Sequence, residues 1–173
     1  MTIQNKQHLS LGANYEQVAS KFRPIFQRIA VGSLEREQNR QLPYEAIQWL
    51  KEAGFGAVRV PIASGGDGFS QKQLFQLLIE LAKVDSNVVQ ALRGHFAFVE
   101  DRLNAQKTQD QTRWFKRFVQ GDLVGNAWTE IGQVEIGDVV TRVTENGQGQ
   151  LHVNGQKYYS TGTIFADWID LFA

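Results

Sequence analysis

The chain contains no cysteine among its 173 residues. Disulfide bonds, thiolate nucleophiles, iron–sulfur clusters and cysteine-based zinc sites are therefore excluded. It also has no excess of positive charge, since 18 Lys and Arg residues balance 18 Asp and Glu residues. A nucleic-acid-binding protein needs a basic face, so the balance argues against that class of partner.

Long apolar runs are absent as well. No segment approaches the ~18–20 consecutive apolar residues of a membrane span. The stretch Met1 to Gly12 is polar and lacks the apolar centre of a signal peptide. The sequence therefore predicts a cytoplasmic protein that does not enter a membrane.

Apolar and aromatic residues are plentiful enough for a folded core. The chain is 42% hydrophobic and includes 11 Phe, 4 Trp and 4 Tyr, a composition typical of globular domains. The three histidines, His8, His95 and His152, are too far apart in sequence for a metal triad, and no His-Glu-x-x-His spacing occurs. No metal site is predicted.

The first two-thirds of the chain has helical periodicity. Apolar residues recur every three or four positions behind residues that favour helix starts, which predicts about five helices opening near Asn14, Pro43, Ser70, Ser86 and Thr108. Pro24 predicts a kink or a late start in the first helix. The charged stretch Glu35 to Arg40 is interpreted as a solvated helix end or loop, and Gly54 and Gly121 as helix stops.

The pattern changes near Asp122. Strands are predicted from Leu123 to Thr129, around Val139 to Val143, and from Asp167 to Ala173. Asn-Gly pairs favour hairpin turns because both central residues of a type I′ turn need positive φ; they occur at Asn146-Gly147 and Asn154-Gly155.

These patterns predict an α+β protein. Residues 1–121 form a helical bundle, and residues 122–173 form the beginning of an antiparallel, barrel-like β domain. So few strands with open edges make a poor end point for a stable fold. We therefore expect a truncated chain, or one that needs a partner.

Three stretches together suggest a family. They are Phe55 to Ser70, with its Val-Pro and glycine cluster; Asn126 to Glu130, with its Thr-Glu pair; and Asn154 to Gly162, with Tyr-Tyr-Ser-Thr-Gly. In order and spacing they resemble the acyl-CoA dehydrogenase superfamily of flavoenzymes. The resemblance implies a homotetrameric full-length enzyme, with the C-terminal helical domain of the family absent here and this chain inactive by itself.

Two departures indicate a branch of that superfamily. The run Ile131 to Asp138 lacks the proline and serine that follow Thr-Glu in dehydrogenases, and Glu135 would repel a polyanionic coenzyme A. Tyr159-Ser160-Thr161 stands where dehydrogenases usually carry Trp-Ile-Thr. Both features are similar to the flavin-dependent monooxygenases that oxidise organosulfur compounds such as dibenzothiophene and sulfones.

That resemblance implies a definite chemistry. FMN or FAD, reduced by a separate flavin reductase, would react with oxygen to give a peroxide at flavin carbon C4a, and this would oxidise a small organosulfur or aromatic substrate. Such a site must exclude water while hydrogen-bonding the peroxide, which suits short neutral side chains. The implied catalytic residues are Ser160, Asn126 and, as a proton donor, His95. The implied flavin contacts are Asn126, Trp128, Thr129, Tyr159, Ser160 and Thr161.

Other interpretations remain open. The parent protein could be an acyl-CoA dehydrogenase with an unusual thioester site, or the chain could be a non-catalytic fragment. A lone histidine on an apolar helix, such as His95, is often a core residue, and Asn126 and Ser160 could be an ordinary turn residue and a surface residue. Gly65-Gly66-x-Gly68 is interpreted as a turn between helices, because no βαβ unit surrounds it.

Overall fold

A computed structural model of the protein describes residues 14–132 and 139–173. These residues form six α-helices: α1 Tyr15–Ala30, α2 Ser33–Gln38, α3 Tyr44–Glu52, α4 Gln71–Ala82, α5 Ser86–Ala105 and α6 Thr112–Val119. One more helix is present than the sequence pattern suggested. The extra helix, α2, covers the first part of the charged stretch from Glu35 to Arg40 and ends within it at Gln38.

The helix starts follow capping chemistry. The Asn14 side chain accepts a hydrogen bond from the Glu16 amide, and α1 then runs without a break through Pro24, so the helix does not start late. Ser70 and Gln73 form the predicted capping box of α4. Gly54 and Gly121 have φ of 76° and 97°, which confirms both as helix stops.

Three predicted start positions are displaced by one or more residues. Asp85, not Ser86, caps α5, because its carboxylate accepts hydrogen bonds from the amides of Asn87 and Val88. Asp110 accepts from the Thr112 amide at the start of α6, so Thr108 lies in the preceding turn. Pro43 directly precedes α3 and is not in its first turn.

Two clusters of buried side chains make up the core. The larger one joins α1, α3, α4 and α5, and its centre is aromatic: Phe55 meets Phe22, Phe26 and Phe96 edge to face at centroid distances of 5.1–5.9 Å. The smaller cluster contains Phe98, Phe118 and Val124 and joins α5 and α6 to the first strand. The helical part therefore has its own core, and the β segment packs on one end of it.

The strands form two small sheets. Strand β1 (Val124–Ala127) pairs with β4 (Trp168–Leu171), and β2 (Arg142–Glu145) pairs with β3 (Leu151–Asn154). The described residues form no closed barrel, and the α+β architecture with a barrel-like β segment only begun agrees with the sequence prediction. The β1–β4 pair, however, is parallel and not antiparallel, with Val124 opposite Trp168. Before β4 the chain packs the turn at residues 159–163 against α5, and it then enters β4 in the same direction as β1.

The two Asn-Gly signals behave differently from two-residue hairpin turns. Residues 146–150 connect β2 to β3 in a longer loop in which Gly149, not Gly147, has positive φ. Asn154-Gly155 ends β3, and among the residues that the structure describes the chain after it makes a single bridge, from Tyr158 to Thr129, before β4. Gly155 is needed for close packing, because a Cβ there would lie 2.3 Å from Thr141 Oγ1.

Asp167 ties the helical part to the β segment. Its carboxylate pairs with Lys51 Nζ at 2.7 Å and accepts a hydrogen bond from the Leu123 amide at 2.8 Å. Burial raises the pKa of Asp167, but these partners outweigh burial and the net pKa lies below its usual range. The ion pair anchors the residue just before β4 to the end of α3, and the hydrogen bond anchors the residue just before β1 to the same carboxylate.

No helix in residues 14–132 and 139–173 is long and apolar enough to cross a membrane. The same residues contain no group of three or more His, Asp or Glu placed to hold a metal ion.

Candidate functional site

The segment from Tyr159 to Thr163 is a compact turn pressed onto α5. Thr161 donates its amide to Tyr159 O at 2.7 Å, and Thr163 donates its amide to Ser160 O at 3.2 Å. Gly162 has φ of 76°, and a Cβ there would lie 2.1 Å from Ala91 O. Only glycine permits this approach, so the turn packs directly against the backbone of α5.

Tyr159 lies on the outer side of this turn. Its φ is 56°, an uncommon value for a residue with a side chain, and 79% of its surface is exposed. Local strain of this kind costs of order 1–3 kcal/mol and persists where the surroundings enforce it. An exposed aromatic ring on a strained, fixed turn is a suitable surface for stacking a planar ligand.

Asn126 meets the turn from β1. Its amide donates to Thr161 O at 3.4 Å, and its carbonyl accepts from Thr163 Oγ1 at 3.1 Å. Gly94 of α5 lies directly beneath, since a Cβ there would be 3.3 Å from both Asn126 N and Thr161 O. The fold therefore brings Asn126 and Thr161 together above a residue whose small size leaves room for their close approach.

Two neutral polar groups here have no partner. Asn126 Oδ1 is buried without a hydrogen bond. Among the described residues, the Ser160 hydroxyl also makes none. Buried polar groups are nearly always satisfied, so the unpaired acceptor makes Asn126 a candidate for contact with a ligand.

Arg93 is a site residue that the sequence interpretation missed. It is the residue before Gly94 on α5, and its Nη2 donates to Thr161 Oγ1 at 3.3 Å. The Thr161 hydroxyl in turn contacts Tyr159 O at 3.2 Å. No sequence motif marked this arginine, because the contact joins residues 68 positions apart.

Thr129 pairs with Tyr158, the residue just before the turn, and Trp128 is the neighbour of Thr129 in sequence. Thr129 O accepts from the Tyr158 amide at 2.8 Å, so Thr129 lies beside the start of the turn. Trp128 is 45% exposed, and its indole donates to Asp170 on β4 at 2.9 Å. The indole is thus anchored to the sheet while part of its surface stays accessible.

Glu130 holds the neighbouring chain in place, a structural role that the sequence did not indicate. It accepts hydrogen bonds from Lys157 Nζ, from Thr141 Oγ1 and from the Val140 and Thr141 amides, at 2.6–2.9 Å. The Lys157 ammonium first, and the Thr141 hydroxyl next, hold the pKa of Glu130 well below its usual range. Glu130 is therefore an ionised structural carboxylate.

His95 lies apart from this surface, in the core. Its ring is fully buried; Nδ1 accepts from the Val124 amide at 3.2 Å and Nε2 lies 2.9 Å from Gly56 O. Because Val124 can only donate and Gly56 O can only accept, the proton must sit on Nε2. Burial lowers the pKa of His95 to about 4. Both ring nitrogens are occupied and the ring is neutral, so the geometry favours a core histidine over a proton donor.

The structure thus gathers Asn126, Thr129, Tyr159, Ser160 and Thr161 around one turn. Glu135 and most of the loop from Ile131 to Asp138, on which the distinction from dehydrogenases partly rests, lie outside the described residues.

Comparison with known proteins is consistent with this architecture. Residues 15–122 match the family described as acyl-CoA dehydrogenase, N-terminal domain. The chain belongs to this family.

A benzylmalonyl-CoA dehydrogenase from Aromatoleum aromaticum is 28% identical over 159 residues, which cover 85% of this chain and 40% of the relative. FMN-bound TdsC from Paenibacillus sp. A11-2, a dibenzothiophene monooxygenase, has a TM-score of 0.75 at 21% identity over 91% of this chain and 39% of its own. A nitrososynthase from Micromonospora carbonacea var. africana has a TM-score of 0.79 at 18% identity, covering 91% and 41%. The chain therefore spans about two-fifths of the length of these proteins.

Proposed function

We propose that this chain supplies one face of the cofactor site of a flavin-dependent enzyme using FMN or FAD. The observation that carries the proposal is the orphaned Oδ1 of Asn126 beside the strained Tyr159 turn. A flavin ring offers both a planar surface and polar edge atoms, so it fits an exposed aromatic ring next to an unpaired acceptor. When bound, it would supply the redox chemistry that these side chains lack.

Each site residue then has a distinct role. Asn126 and Thr161 would hydrogen-bond the polar edge of the flavin, and Tyr159 and Trp128 would cover its planar surface. Thr129 would contact it from the start of the turn. Ser160 would hold a proton or an oxygen atom of the reacting group through its free hydroxyl.

We further propose that the reaction is a monooxygenation of a small organosulfur or aromatic compound. Ser160 and Asn126 are short, neutral and unpaired, so they can hydrogen-bond a reactive oxygen without bringing an additional charge into a dry site. The likeness to dibenzothiophene monooxygenase supports this choice at the level of fold. His95 is assigned a supporting role, because its nitrogens already bind Gly56 and Val124.

The second candidate is an acyl-CoA dehydrogenase. The 28% identical relative carries that type of name, and its sequence similarity extends over 85% of this chain. In this alternative the same turn would contact the flavin, but Ser160 would have no oxygen species to stabilise. The two candidates therefore differ in what Ser160 does.

The full-length protein also implies partners that this chain does not contain. We propose a flavin reductase that supplies the reduced cofactor, a homotetrameric assembly and a cytoplasmic location. We also propose that the helical domain ends at residue 121 and that residues 122–173 begin the β domain; the family match ends at residue 122.

The test uses the full-length protein loaded with reduced FMN or FAD and exposed to oxygen with candidate organosulfur substrates. Ser160→Ala should raise the share of consumed oxygen that appears as hydrogen peroxide and lower the share that appears in product. Ser64→Ala, at an exposed turn outside the site, is the matched control. Unchanged coupling in Ser160→Ala contradicts the role of Ser160. Bleaching of oxidised flavin by acyl-CoA thioesters under anaerobic conditions would establish the dehydrogenase instead.

A further inference from the structure

An apolar cleft lies between α4 and α5, next to the candidate site. Its volume is about 410 Å³, within the range of small-molecule sites. Its walls are mainly aliphatic and aromatic: Leu74, Phe75 and Leu78 from α4, and Val89, Phe96 and Ala97 from α5. A cleft of this composition suits an apolar molecule of modest size.

The two charged residues of the cleft have different surroundings. Glu100 is paired with Arg59 through two contacts of 2.5 and 2.8 Å, and it also accepts from Gln71 at 3.1 Å. Hydrogen bonding to Arg59 holds the pKa of Glu100 below its usual range. This carboxylate is therefore ionised and already neutralised.

Arg93 has no such partner. Its guanidinium donates to the neutral Thr161 hydroxyl, and no carboxylate of the residues that the structure describes lies within 4 Å of it. A guanidinium carries five N–H donors and stays charged at any physiological pH. Four of those donors thus remain available to a ligand in the part of the cleft nearest the Tyr159–Thr163 turn, with Val89 and Gln90 one helical turn beyond Arg93.

Arg93 and Glu100 are seven residues apart on α5, which places them roughly 10 Å apart along the helix. The cleft therefore has a neutralised carboxylate at the Glu100 end and an unpaired positive charge at Arg93, one helical turn short of the Val89 end, with apolar walls between them. A ligand that matches it has an apolar body and a single anionic group at one end.

We propose that the cleft binds a small aromatic or alkyl acid, either a carboxylate or an oxidised sulfur acid, whose anionic group pairs with Arg93. This inference rests on the proposed function and names the substrate class of that site. The acid group lies beside Thr161 and the flavin-facing turn, and the apolar body extends along α5 towards Phe96 and Ala97.

The test measures binding of matched acid and neutral probes to the full-length protein by calorimetry. Phenylacetate should bind at least about tenfold more tightly than phenylacetamide, because a charge-assisted contact adds of the order of 1.5–3 kcal/mol and tenfold is about 1.4 kcal/mol. Arg93→Gln should abolish the preference and Arg93→Lys should restore part of it. Arg113→Gln, an exposed arginine on α6 with no described partner, should leave it unchanged.

Hexanoate with hexanamide, and benzenesulfonate with benzenesulfonamide, extend the comparison to the other two ligand types. Failure of all three acids to bind, or an acid preference that survives in Arg93→Gln with its melting temperature unchanged, overturns the proposal. Flavin binding is titrated separately in the same samples. Normal flavin binding without acid preference rejects this inference alone, whereas acid preference without flavin binding rejects the proposed function.

Discussion

The Nδ1 atom of His95 accepts a hydrogen bond from the Val124 amide at 3.2 Å, while Nε2 lies 2.9 Å from Gly56 O. One buried ring therefore connects α5 to the turn after α3 and to the first residue of β1. Asn126 lies two residues further along this strand. The position of the candidate site relative to the helical core depends on this histidine.

His95→Leu should destabilise the protein by about 2–4 kcal/mol. The substitution leaves the Val124 amide and the Gly56 carbonyl buried and unpaired, and each such group costs of the order of 1–3 kcal/mol. Urea unfolding followed by tryptophan fluorescence measures the change. His152→Leu, at an exposed position of β3, is the control and should change the free energy of unfolding by less than about 0.5 kcal/mol.

Stability should fall as the pH decreases from about 6.5 to 4. His95 has a pKa of about 4 in the folded protein against an ordinary value of 6.5, so the unfolded chain binds the proton more readily in this window. The contribution of neutral His95 to the free energy of unfolding is complete above pH 6.5 and is lost as the pH falls to the folded pKa. The total loss is about 3 kcal/mol. The nearby charges of Asp167 and Lys51 act in opposite directions. His95→Gln should remove the pH dependence of the free energy of unfolding between pH 6.5 and 5. An unchanged slope in that variant would show that a group other than His95 causes it.

Gly162→Ala should lower the melting temperature strongly and weaken flavin binding with it. The added methyl group would lie 2.1 Å from Ala91 O at a backbone position with φ of 76°, so the whole turn must move off α5. A destabilisation above about 3 kcal/mol is expected. Gly147→Ala is the matched control, because nothing lies within 4 Å of its Cβ position. Equal melting temperatures for the two variants would show that the turn is not held by this contact.

Asn126→Leu should separate binding from folding. The Oδ1 atom of Asn126 has no hydrogen-bond partner within the described chain, so its removal breaks no protein hydrogen bond and the free energy of unfolding should change by less than about 1 kcal/mol. Flavin affinity, titrated by fluorescence quenching, should fall about tenfold or more. Unchanged affinity would show that Asn126 does not contact the cofactor.

Glu130→Gln should make the segment that contains Val140 and Thr141 more mobile. The carboxylate binds the amides of Val140 and Thr141, and the neutral amide holds them less strongly and loses the Lys157 ion pair. Hydrogen exchange at these two amides should accelerate, as measured by mass spectrometry or NMR. Glu145→Gln, on exposed β2, should leave exchange at both positions unchanged.

The sequence predicted the features that depend on local chemistry. Apolar periodicity located five helices, the capping box at Ser70 and the helix stops at Gly54 and Gly121. The family resemblance predicted that Asn126, Ser160 and Thr161 belong to one site, and the structure places them around one turn. The helix signals depend on residues close together in sequence, and the site residues were predicted from motifs that the family shares.

Features that depend on distant contacts were missed. The parallel pairing of β1 with β4 joins strands that are about 40 residues apart, and alternation along a strand does not encode the direction of such a distant partner. Arg93 and Glu130 have partners 68 and 27 positions away, so no spacing rule identifies them. The sequence does not distinguish a core histidine from one that transfers a proton. For His95 the burial of the ring and its two occupied nitrogens make that distinction.

The pairing of β1 with β4 also has a consequence for synthesis on the ribosome. Leu123 and its partner Asp167 are 44 residues apart, so β1 leaves the exit tunnel long before β4 does. At 5–20 residues per second this delay is about 2–9 s. The helical core can close during that time, but Val124–Ala127 remains an open strand edge that other nascent chains can pair with. Rapid translation of the segment between the two strands should therefore favour the soluble yield of this protein.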